Sequence, residues 1–249
     1  MNKLAKQLLP FSSLLFIISL WTFLEPDTFL TFQNFKNVLS SSAANGIIAA
    51  GMTFVIITAG IDLSVGSMLA MCGILGSIVM LVLSGANWTQ ISGGASVELG
   101  GFSMLVGTLI GMAVGALCGF LNGALVTRLK LAPFIVTLGS MSIFRGISHI
   151  INSSRPISVS AYSWLDTGSI LGIPASVVIF AVVLLVMGYV LKYTPFGRYT
   201  YAIGSNPQTA YHAGVNVDKM LVWIYTILGA LVGLAAMIMT SRASSAAPA

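Results

Sequence analysis

Residues 107–123 read GTLIGMAVGALCGFLNG and lie inside an apolar run that extends without a charged residue from about 103 to 126. A membrane-spanning helix needs ~20 consecutive and mostly apolar residues. The run is long enough for this purpose, so it predicts a transmembrane helix. Glycine occupies every fourth position of the quoted stretch.

Similar apolar runs recur along the chain, separated by short polar breaks. They predict six further spans near residues 8–24, 43–59, 68–84, 134–151, 174–191 and 220–240. Three runs begin at a proline, which the first turn of a helix tolerates because its N–H groups have no partner within the helix. These prolines are Pro10, Pro133 and Pro174. The sequence therefore predicts an all-α polytopic transmembrane bundle of about seven spans.

The charged residues are too few to cover a water-soluble domain. They make up 7% of the 249 residues, against about 25% in soluble domains, and the mean hydropathy is +0.97. The sequence has no basic cluster interleaved with aromatic residues, which disfavours nucleic-acid binding despite the net charge of +5. Cys72 and Cys118 fall inside apolar runs without metal-type spacing, so neither a disulfide framework nor a metal site is predicted.

The distribution of lysine and arginine predicts the orientation, since short cytoplasmic loops are enriched in these residues. Lys3 and Lys6 place the N-terminus in the cytoplasm. Alternating the spans then puts Arg128, Lys130, Lys192, Arg198 and Lys219 inside, and Lys36, Arg155 and Arg242 outside. A secretory signal is the alternative for the first run, but no small-x-small cleavage site precedes Glu25 and Pro26.

The glycines of the fourth span favour close helix packing. Small residues four apart let two helix backbones approach each other, which is how membrane helices associate. The residues are Gly107, Gly111, Gly115, Gly119 and Gly123. Because a helix turn takes ~3.6 residues, a period of four drifts around the helix and should reach more than one neighbour. Asn122 beside this row predicts an interhelical hydrogen bond.

The segment GIDLSVGS, residues 60–67, separates the second and third spans. Asp62 and Ser64 are residue types that cap the N-terminus of a following helix. Alternatively, the helices break here at membrane depth and line a cavity, where irregular backbone is tolerated. Both interpretations stay open, and the second makes Asp62 and Ser64 candidates for the substrate path.

Four polar residues of the fifth span share one helix face: Ser142, Arg145, His149 and Asn152. An arginine that faces lipid is costly, so this face should turn to the bundle interior or to a watery path. Arg145 could also extend toward the outer surface. Arg145, His149 and Asn152 are therefore candidates either for the substrate path or for contacts between helices.

The cytoplasmic segment 192–219 predicts two short helices. Thr194-Pro195 opens the first and Gly204 closes it, and Asn206-Pro207 opens the second and Gly214 closes it. On the first helix Phe196, Tyr199 and Ile203 share a face. This face is explained either by docking of a partner protein or by packing of the segment on its own bundle.

Three motifs make the chain similar to a known family. They are GIDLSVGS, APFIVTLGSMSIFRG and GRYTYAIGSNPQTAYHAGVNVDK, beginning at residues 60, 132 and 197. They resemble the ribose-type permeases of monosaccharide ABC transporters, in the branched-chain and ribose importer permease family, from about residue 35 onward. Such permeases run on for several more helices, so we expect residues 1–249 to be a single permease domain, truncated at its C-terminus.

The resemblance implies a subunit of a bacterial inner-membrane importer for a ribose-like sugar. The implied partners are a second permease copy, a tandem-domain ABC ATPase, a periplasmic sugar-binding protein and the lipid bilayer. By the same resemblance, segment 192–219 meets the ATPase. Its residues of interest are Pro195, Phe196, Gly197, Arg198, Tyr199, Ile203, Gly204, Asn206 and Gly214.

The motifs present and missing favour a transport subunit over an enzyme. The chain has no G-x-x-x-x-G-K-[ST] loop, so ATP is expected on a partner and no cofactor on this chain. An ion-coupled secondary transporter is the alternative, but its site would need a carboxylate in mid-membrane, and Asp62 lies at a span end. His149 lacks the partners of a nucleophile or metal site, so no catalytic residue is predicted. The sequence leaves open which sugar is carried.

Overall fold

A computed structural model describes residues 11–94, 97–170 and 172–248, without the side chain of Thr167. In chain order the helices are α1 Ser12–Leu24, α2 Pro26–Phe29, α3 Phe32–Ile57, α4 Val65–Leu83, α5 Trp88–Gly93, α6 Gly101–Leu129, α7 Pro133–Ile151, α8 Trp164–Thr167, α9 Ala175–Tyr193, α10 Pro195–Ser205, α11 Pro207–His212 and α12 Val217–Ala243.

Six of these helices are long and apolar enough to cross a membrane: α3, α4, α6, α7, α9 and α12. The prediction of an all-α membrane bundle is therefore confirmed. Five predicted spans match a helix to within a few residues, while α3 begins 11 residues before the predicted start at 43. Helix α1 has 13 described residues. Pro10, Lys3 and Lys6 lie outside the described residues.

The described residues divide into two compact units, residues 11–41 and the described residues from 42 onward. In the described part of the first, α1, α2 and the start of α3 follow each other closely. The side-chain amide of Asn34 donates to the carbonyl of Phe29 at 2.9 Å, and the ammonium of Lys36 lies 4.7 Å from the centre of the Phe32 ring. Short local contacts therefore hold the turn that leads into α3.

The second unit is organised around α12. This helix packs along α6 and also against α4, and α7 packs against α4 as well. Fully buried side chains between them include Ile74, Leu228, Val232 and Met237. Helix α9, by contrast, leaves Leu184, Leu185 and other apolar side chains exposed. Apolar residues on both sides of the helices are expected where the surroundings are hydrocarbon.

The described residues also form four two-residue strands outside the six long helices. β1 (Ile157–Ser158) pairs antiparallel with β4 (Ser245–Ala246), and β2 (Ser169–Ile170) pairs with β3 (Ile173–Pro174). The guanidinium of Arg242 lies 3.8 Å from the carboxylate of Asp166, which ties the end of α12 to the same segment. Burial raises the pKa of Tyr162 to about 12, although a hydrogen bond to Thr108 opposes the shift. The segment between α7 and α9 is thus fixed to the helix ends.

Candidate functional site

The glycines of α6 lie against the backbones of neighbouring helices. A Cβ on Gly115 would overlap the carbonyl of Gly229, and one on Gly119 would overlap the carbonyl of Tyr225. The contact is reciprocal, since a Cβ on Gly229 would overlap the carbonyl of Gly115. Gly233 faces Gly111 in the same way. The two antiparallel helices α6 and α12 therefore approach each other at distances that only glycine permits.

The row of glycines reaches two neighbours, as its drift around the helix requires. Gly107 faces α4, where a Cβ would come within 2.8 Å of the carbonyl oxygen of Gly76, whereas Gly123 faces Val222 of α12. Gly229 and Gly233 on α12 were not singled out from the sequence. Their spacing of four was the signal that could have identified them.

A buried polar cluster joins the break after α3 to α6 and α7. One carboxylate oxygen of Asp62 accepts hydrogen bonds from the backbone N–H of Ser64 at 2.8 Å and from its hydroxyl at 2.6 Å. The amide of Asn122 donates to the Ser64 hydroxyl at 2.9 Å and lies 3.4 Å from the other carboxylate oxygen. The hydroxyl of Ser140 donates to the amide oxygen of Asn122 at 2.6 Å. We call Asp62, Ser64, Asn122 and Ser140 the polar cluster.

The prediction that Asp62 and Ser64 cap the next helix is wrong in its detail. Ser64 occupies the N-cap position of α4, but its side chain makes no capping bond. The physical reason is that Asp62 is only 4% exposed, and a buried carboxylate needs hydrogen-bond donors close to it. The hydroxyl of Ser64 supplies one of them. Asn122 makes the interhelical hydrogen bonds that were predicted for it.

The polar cluster lies well inside the helix bundle. Asn122 is about two turns before the end of α6 at Leu129, which is ~10 Å along the axis at ~1.5 Å per residue. Ser140 is equally far from the start of α7 at Pro133. The Tyr225 hydroxyl donates to the carbonyl of Ile61 at 3.3 Å and so holds the break from α12. Asp62 and Ser64 are thus buried and hydrogen-bonded, whereas the side chains of Ile61 and Leu63 in the same break are exposed.

The predicted polar face of α7 points away from the cluster. The buried residues of α7 include Thr137, Ser140, Phe144 and Ser148, whereas Ser142 and Arg145 are exposed on this chain. His149 is half-buried, and its Nδ1 lies 2.9 Å from the hydroxyl of Ser154. Asn152 is buried after the helix end, where its amide donates to the carbonyl of Arg155. The structure therefore does not bring the five candidate path residues together.

Segment 192–219 folds into two helices with the expected caps. Thr194 accepts from the N–H of Gly197 at 3.4 Å, and Asn206 accepts from the N–H of Thr209 at 3.0 Å. Gly204 does not end α10, which continues to Ser205. Gly214 adopts a positive φ of 87° shortly after α11 ends.

The face formed by Phe196, Tyr199 and Ile203 is divided between the bundle and the surface. Ile203 is 1% exposed, and the ring of Phe196 lies 6.0 Å from that of Phe54 on α3. Tyr199, at 43% exposed, and Tyr201 point outward. Packing on the bundle therefore accounts for Ile203 and Phe196, because a helix lying on the bundle buries its own apolar stripe, whereas Tyr199 stays accessible to a partner.

Helix α10 contacts the end of α3 directly. A Cβ on Gly204 would overlap the carbonyl of Ile57, the last residue of α3, and Phe196 packs on Phe54 one turn earlier. A few residues later the chain enters the break that carries Asp62. Any displacement of α10 therefore bears on the segment that leads into the polar cluster.

The described residues contain no group of three or more His, Cys, Asp or Glu side chains placed to hold a metal ion. Cys72 and Cys118 are both buried, and both are free.

Known proteins match the chain along most of its length. A family model described as branched-chain amino acid transport system / permease component matches residues 34–249. Ribose import permease proteins of Haemophilus influenzae and Bacillus subtilis are each 37% identical to the chain, and each match covers 96% of this chain and 70% of the relative. The D-allose transport system permease protein of Escherichia coli is 32% identical over 96% of this chain and 68% of its own length.

No solved structure matches the chain. The relatives are transport components and not enzymes, and the matched region contains all six long helices except the first residues of α3. The chain is a multi-pass membrane protein that belongs to the family of branched-chain amino acid transport system permease components.

Proposed function

We propose that the chain is the membrane-spanning subunit of a bacterial inner-membrane importer for a ribose-like monosaccharide, driven by ATP that is bound and hydrolysed on a partner. The observation that carries the proposal is the 37% identity to ribose import permeases over 96% of the chain. A relative at lower identity is a permease for D-allose, so the shared architecture serves more than one sugar. The chain itself binds no cofactor in this scheme.

The proposed topology has seven spans and a cytoplasmic N-terminus within a single permease domain, residues 1–249. Its support is the clustering of Arg128, Lys130 and Lys219 at helix ends that lie on the same side as α10 and α11. A cysteine at Ser205, which is exposed, tests it in a protein whose two native cysteines are replaced. Labelling of this cysteine by an impermeant reagent added outside intact cells would refute the orientation.

The coupling that we propose runs from segment 192–219 to the bundle. A tandem-domain ATPase that closes on ATP would push α10, which contacts α3 through Gly204 and Phe196. The movement would reach the break at Asp62 and, through Asn122 and Ser140, helices α6 and α7. Alternating access by rocking of packed helices is the kind of motion that such a contact can drive.

The substrate path is proposed to follow the exposed face of α7 and to be completed by a second copy of the permease. Asp62 and Ser64 are enclosed, and their polar atoms bind each other and Asn122, so they suit a structural role better than contact with sugar. Arg145 is exposed within a span, where facing lipid is costly, so a second polypeptide or a watery path should cover it. Sugar hydroxyls would bind there to Arg145 and His149.

An uptake assay distinguishes the ATP-driven importer from an ion-coupled transporter. The permease is reconstituted in vesicles with its ATPase and sugar-binding protein, and uptake of labelled ribose is measured with allose and fructose as competitors. Uptake should require ATP and both partners, and it should survive dissipation of the ion gradients. Uptake that proceeds without the ATPase and stops when the gradients are dissipated would refute the proposal.

The same assay tests the path. Arg145→Gln should reduce uptake more than tenfold while leaving binding of the ATPase and thermal stability unchanged, because Arg145 contacts no other part of the described chain through a hydrogen bond or ion pair. Arg155→Gln, an exposed residue outside α7, is the matched control. Equal uptake by the parent and the Arg145 variant would remove this face from the path.

A further inference from the structure

An apolar groove runs between α6 and α12 beside the glycine contacts. Its volume is about 550 Å³. Its walls are Ala116, Leu117, Phe120, Ala124, Val222, Trp223 and Thr226, and Arg128 and Lys219 stand at one end. The hydroxyl of Thr226 donates to the carbonyl of Val222 at 2.7 Å within its own helix, so it offers the groove no free donor. The walls therefore suit a hydrocarbon chain.

Arg128 and Lys219 line the same end of the groove because α6 and α12 are antiparallel. Gly123 faces Val222 and Gly115 faces Gly229, and this register brings the last turn of α6 beside the first turn of α12. Arg128 and Lys219 are both exposed, and the one ion pair among the described residues is that of Arg242 with Asp166. Asp218 lies ~100° around the helix from Lys219 and lines a different cavity. Among the described residues, no carboxylate lines the groove or forms an ion pair with either cation.

The length of the groove matches one leaflet of a bilayer. From Ala116 to Arg128 the groove follows α6 for ~18 Å at ~1.5 Å per residue. Half of a hydrocarbon core ~30 Å thick is ~15 Å. Trp223 lies about one turn from Lys219, and tryptophan is enriched where hydrocarbon meets the headgroups. An acyl chain in the groove would therefore place its headgroup at the two cations.

We propose that this groove is a binding site for one anionic phospholipid, whose phosphate is held by Arg128 and Lys219 and whose acyl chain lies along Leu117, Phe120 and Trp223. Basic pockets between membrane helices on the cytoplasmic side are known to select anionic headgroups. The assignment to the cytoplasmic leaflet rests on the proposed orientation, but the binding chemistry does not. The lipid would bridge α6 and α12 beside the close glycine contact and stabilise that pair.

A second groove of similar size serves as an internal comparison. It has a volume of about 540 Å³ and lies at the other end of α6, between Met104, Leu105, Trp164 and Leu165. Its polar side chains, Thr108 and Tyr162, bond to each other at 2.7 Å, and no cation lines it. This groove should accept acyl chains without a preference for the headgroup.

The test compares two lipids with identical acyl chains. Delipidated protein in detergent is titrated with palmitoyl-oleoyl phosphatidylglycerol or with palmitoyl-oleoyl phosphatidylcholine, and binding is followed by native mass spectrometry and by the melting temperature. The parent should bind the anionic lipid at least tenfold more tightly. Arg128→Gln/Lys219→Gln should lower this preference to below threefold, while Lys130→Gln/Lys192→Gln, with the same charge change outside the groove, should keep it.

Further arms identify the occupant. Ala124→Phe, which fills the groove and retains both cations, should weaken binding of the anionic lipid at least fivefold. Inorganic phosphate alone should not shift the melting temperature. An equal loss in both double variants would mean general charge attraction and overturn the site. A shift of the melting temperature with phosphate alone would assign the groove to a free anion. A disulfide-linked dimer of Leu117→Cys in vesicles would assign it to a second copy of the chain. Either result would overturn the lipid site.

Discussion

Helices α6 and α7 both carry glycines inside the membrane, and the two helices place them in opposite surroundings. On α6, a Cβ at Gly115 or Gly119 would overlap the backbone of α12. On α7, nothing lies within 4 Å of a Cβ added to Gly139 or Gly146. The α6 glycines are therefore required by the fold of this chain, whereas those of α7 leave a face open to lipid or to another chain. Glycine thus marks a helix contact within this chain on α6, and on α7 it marks a face that no other part of the described chain covers.

The largest effect is expected where α6 packs against α12. Gly115→Leu should separate α6 from α12 and lower the free energy of unfolding by ~3 kcal/mol or more, since forcing extra methylenes into a packed interior usually costs ~1–3 kcal/mol and here the obstacle is backbone. Gly115→Ala should lower it by less. The measurements are the yield after detergent extraction and the melting temperature.

Leu109→Val provides the control on the same helix, because Leu109 is exposed. It should leave the yield and the melting temperature close to those of the parent. The contrast between α6 and α7 would fail if Gly115→Leu melted like Leu109→Val.

The row of α6 glycines could be predicted from the sequence because its period of four is a local pattern. The partner glycines on α12 are only two, Gly229 and Gly233, and two residues are a weak signal. The orientation of α7 could not be predicted, since lipid and helix neighbours are both apolar and the apolar pattern does not distinguish the inner face from the outer one. Helical spacing predicted that Ser142, Arg145 and His149 share a face, but it did not predict what that face contacts.

The next largest effect is expected at the polar cluster, where Asn122 of α6 bonds to Ser140 on the buried face of α7. Asn122→Leu should lower the free energy of unfolding by about 2–4 kcal/mol, because it removes a partner from Ser64 and from Ser140 and a donor near Asp62, and each unsatisfied buried group costs ~1–3 kcal/mol. Chemical denaturation in detergent would measure the loss.

Two serines of α7 give a matched pair for this prediction. Ser140→Ala removes the bond to Asn122 and should destabilise, and a double-mutant cycle with Asn122→Leu should show coupling. Ser142→Ala, on the exposed face, should do neither. Equal effects of the two serine variants would mean that the faces of α7 are not distinguished as described.

The polar cluster also shows where reading from the sequence reaches its limit. Asp62 and Ser64 were recognised as a polar break, but Asn122 and Ser140 are 58 and 76 positions beyond Ser64 along the chain. A contact of that separation depends on how α4, α6 and α7 pack, and no local pattern encodes it. Ser140 is one of three serines in α7, and nothing in the local sequence distinguishes it from the other two.

A smaller effect is expected on α10, which has an inner and an outer side of its own. Tyr199→Ala should weaken association with the ATPase by about 1–2 kcal/mol, since exposed aromatic residues at an interface carry much of its free energy. Ile203→Ala should instead lower the melting temperature, because Ile203 is buried. Ser205→Ala is the neutral control.

Co-purification and substrate-stimulated hydrolysis, measured beside the melting temperature, separate docking from packing. If the Tyr199 variant binds the ATPase normally, Tyr199 does not contribute to docking, and α10 only connects its neighbouring helices.

The smallest effect tests whether the open face of α7 receives a second chain. Gly139→Ala and Gly188→Ala should each raise the free energy of unfolding of the isolated chain by about 0.5–1 kcal/mol, because alanine favours a helix interior over glycine and neither Cβ meets an atom within 4 Å. The two variants should then differ in the assembled permease. A second copy against α7 would meet the new methyl group of Gly139→Ala, so this variant should shift the equilibrium from dimer to monomer in analytical ultracentrifugation. Gly188→Ala, on α9, should leave that equilibrium unchanged. Identical sedimentation of the two variants would mean that α7 is not the interface and that its glycines face lipid.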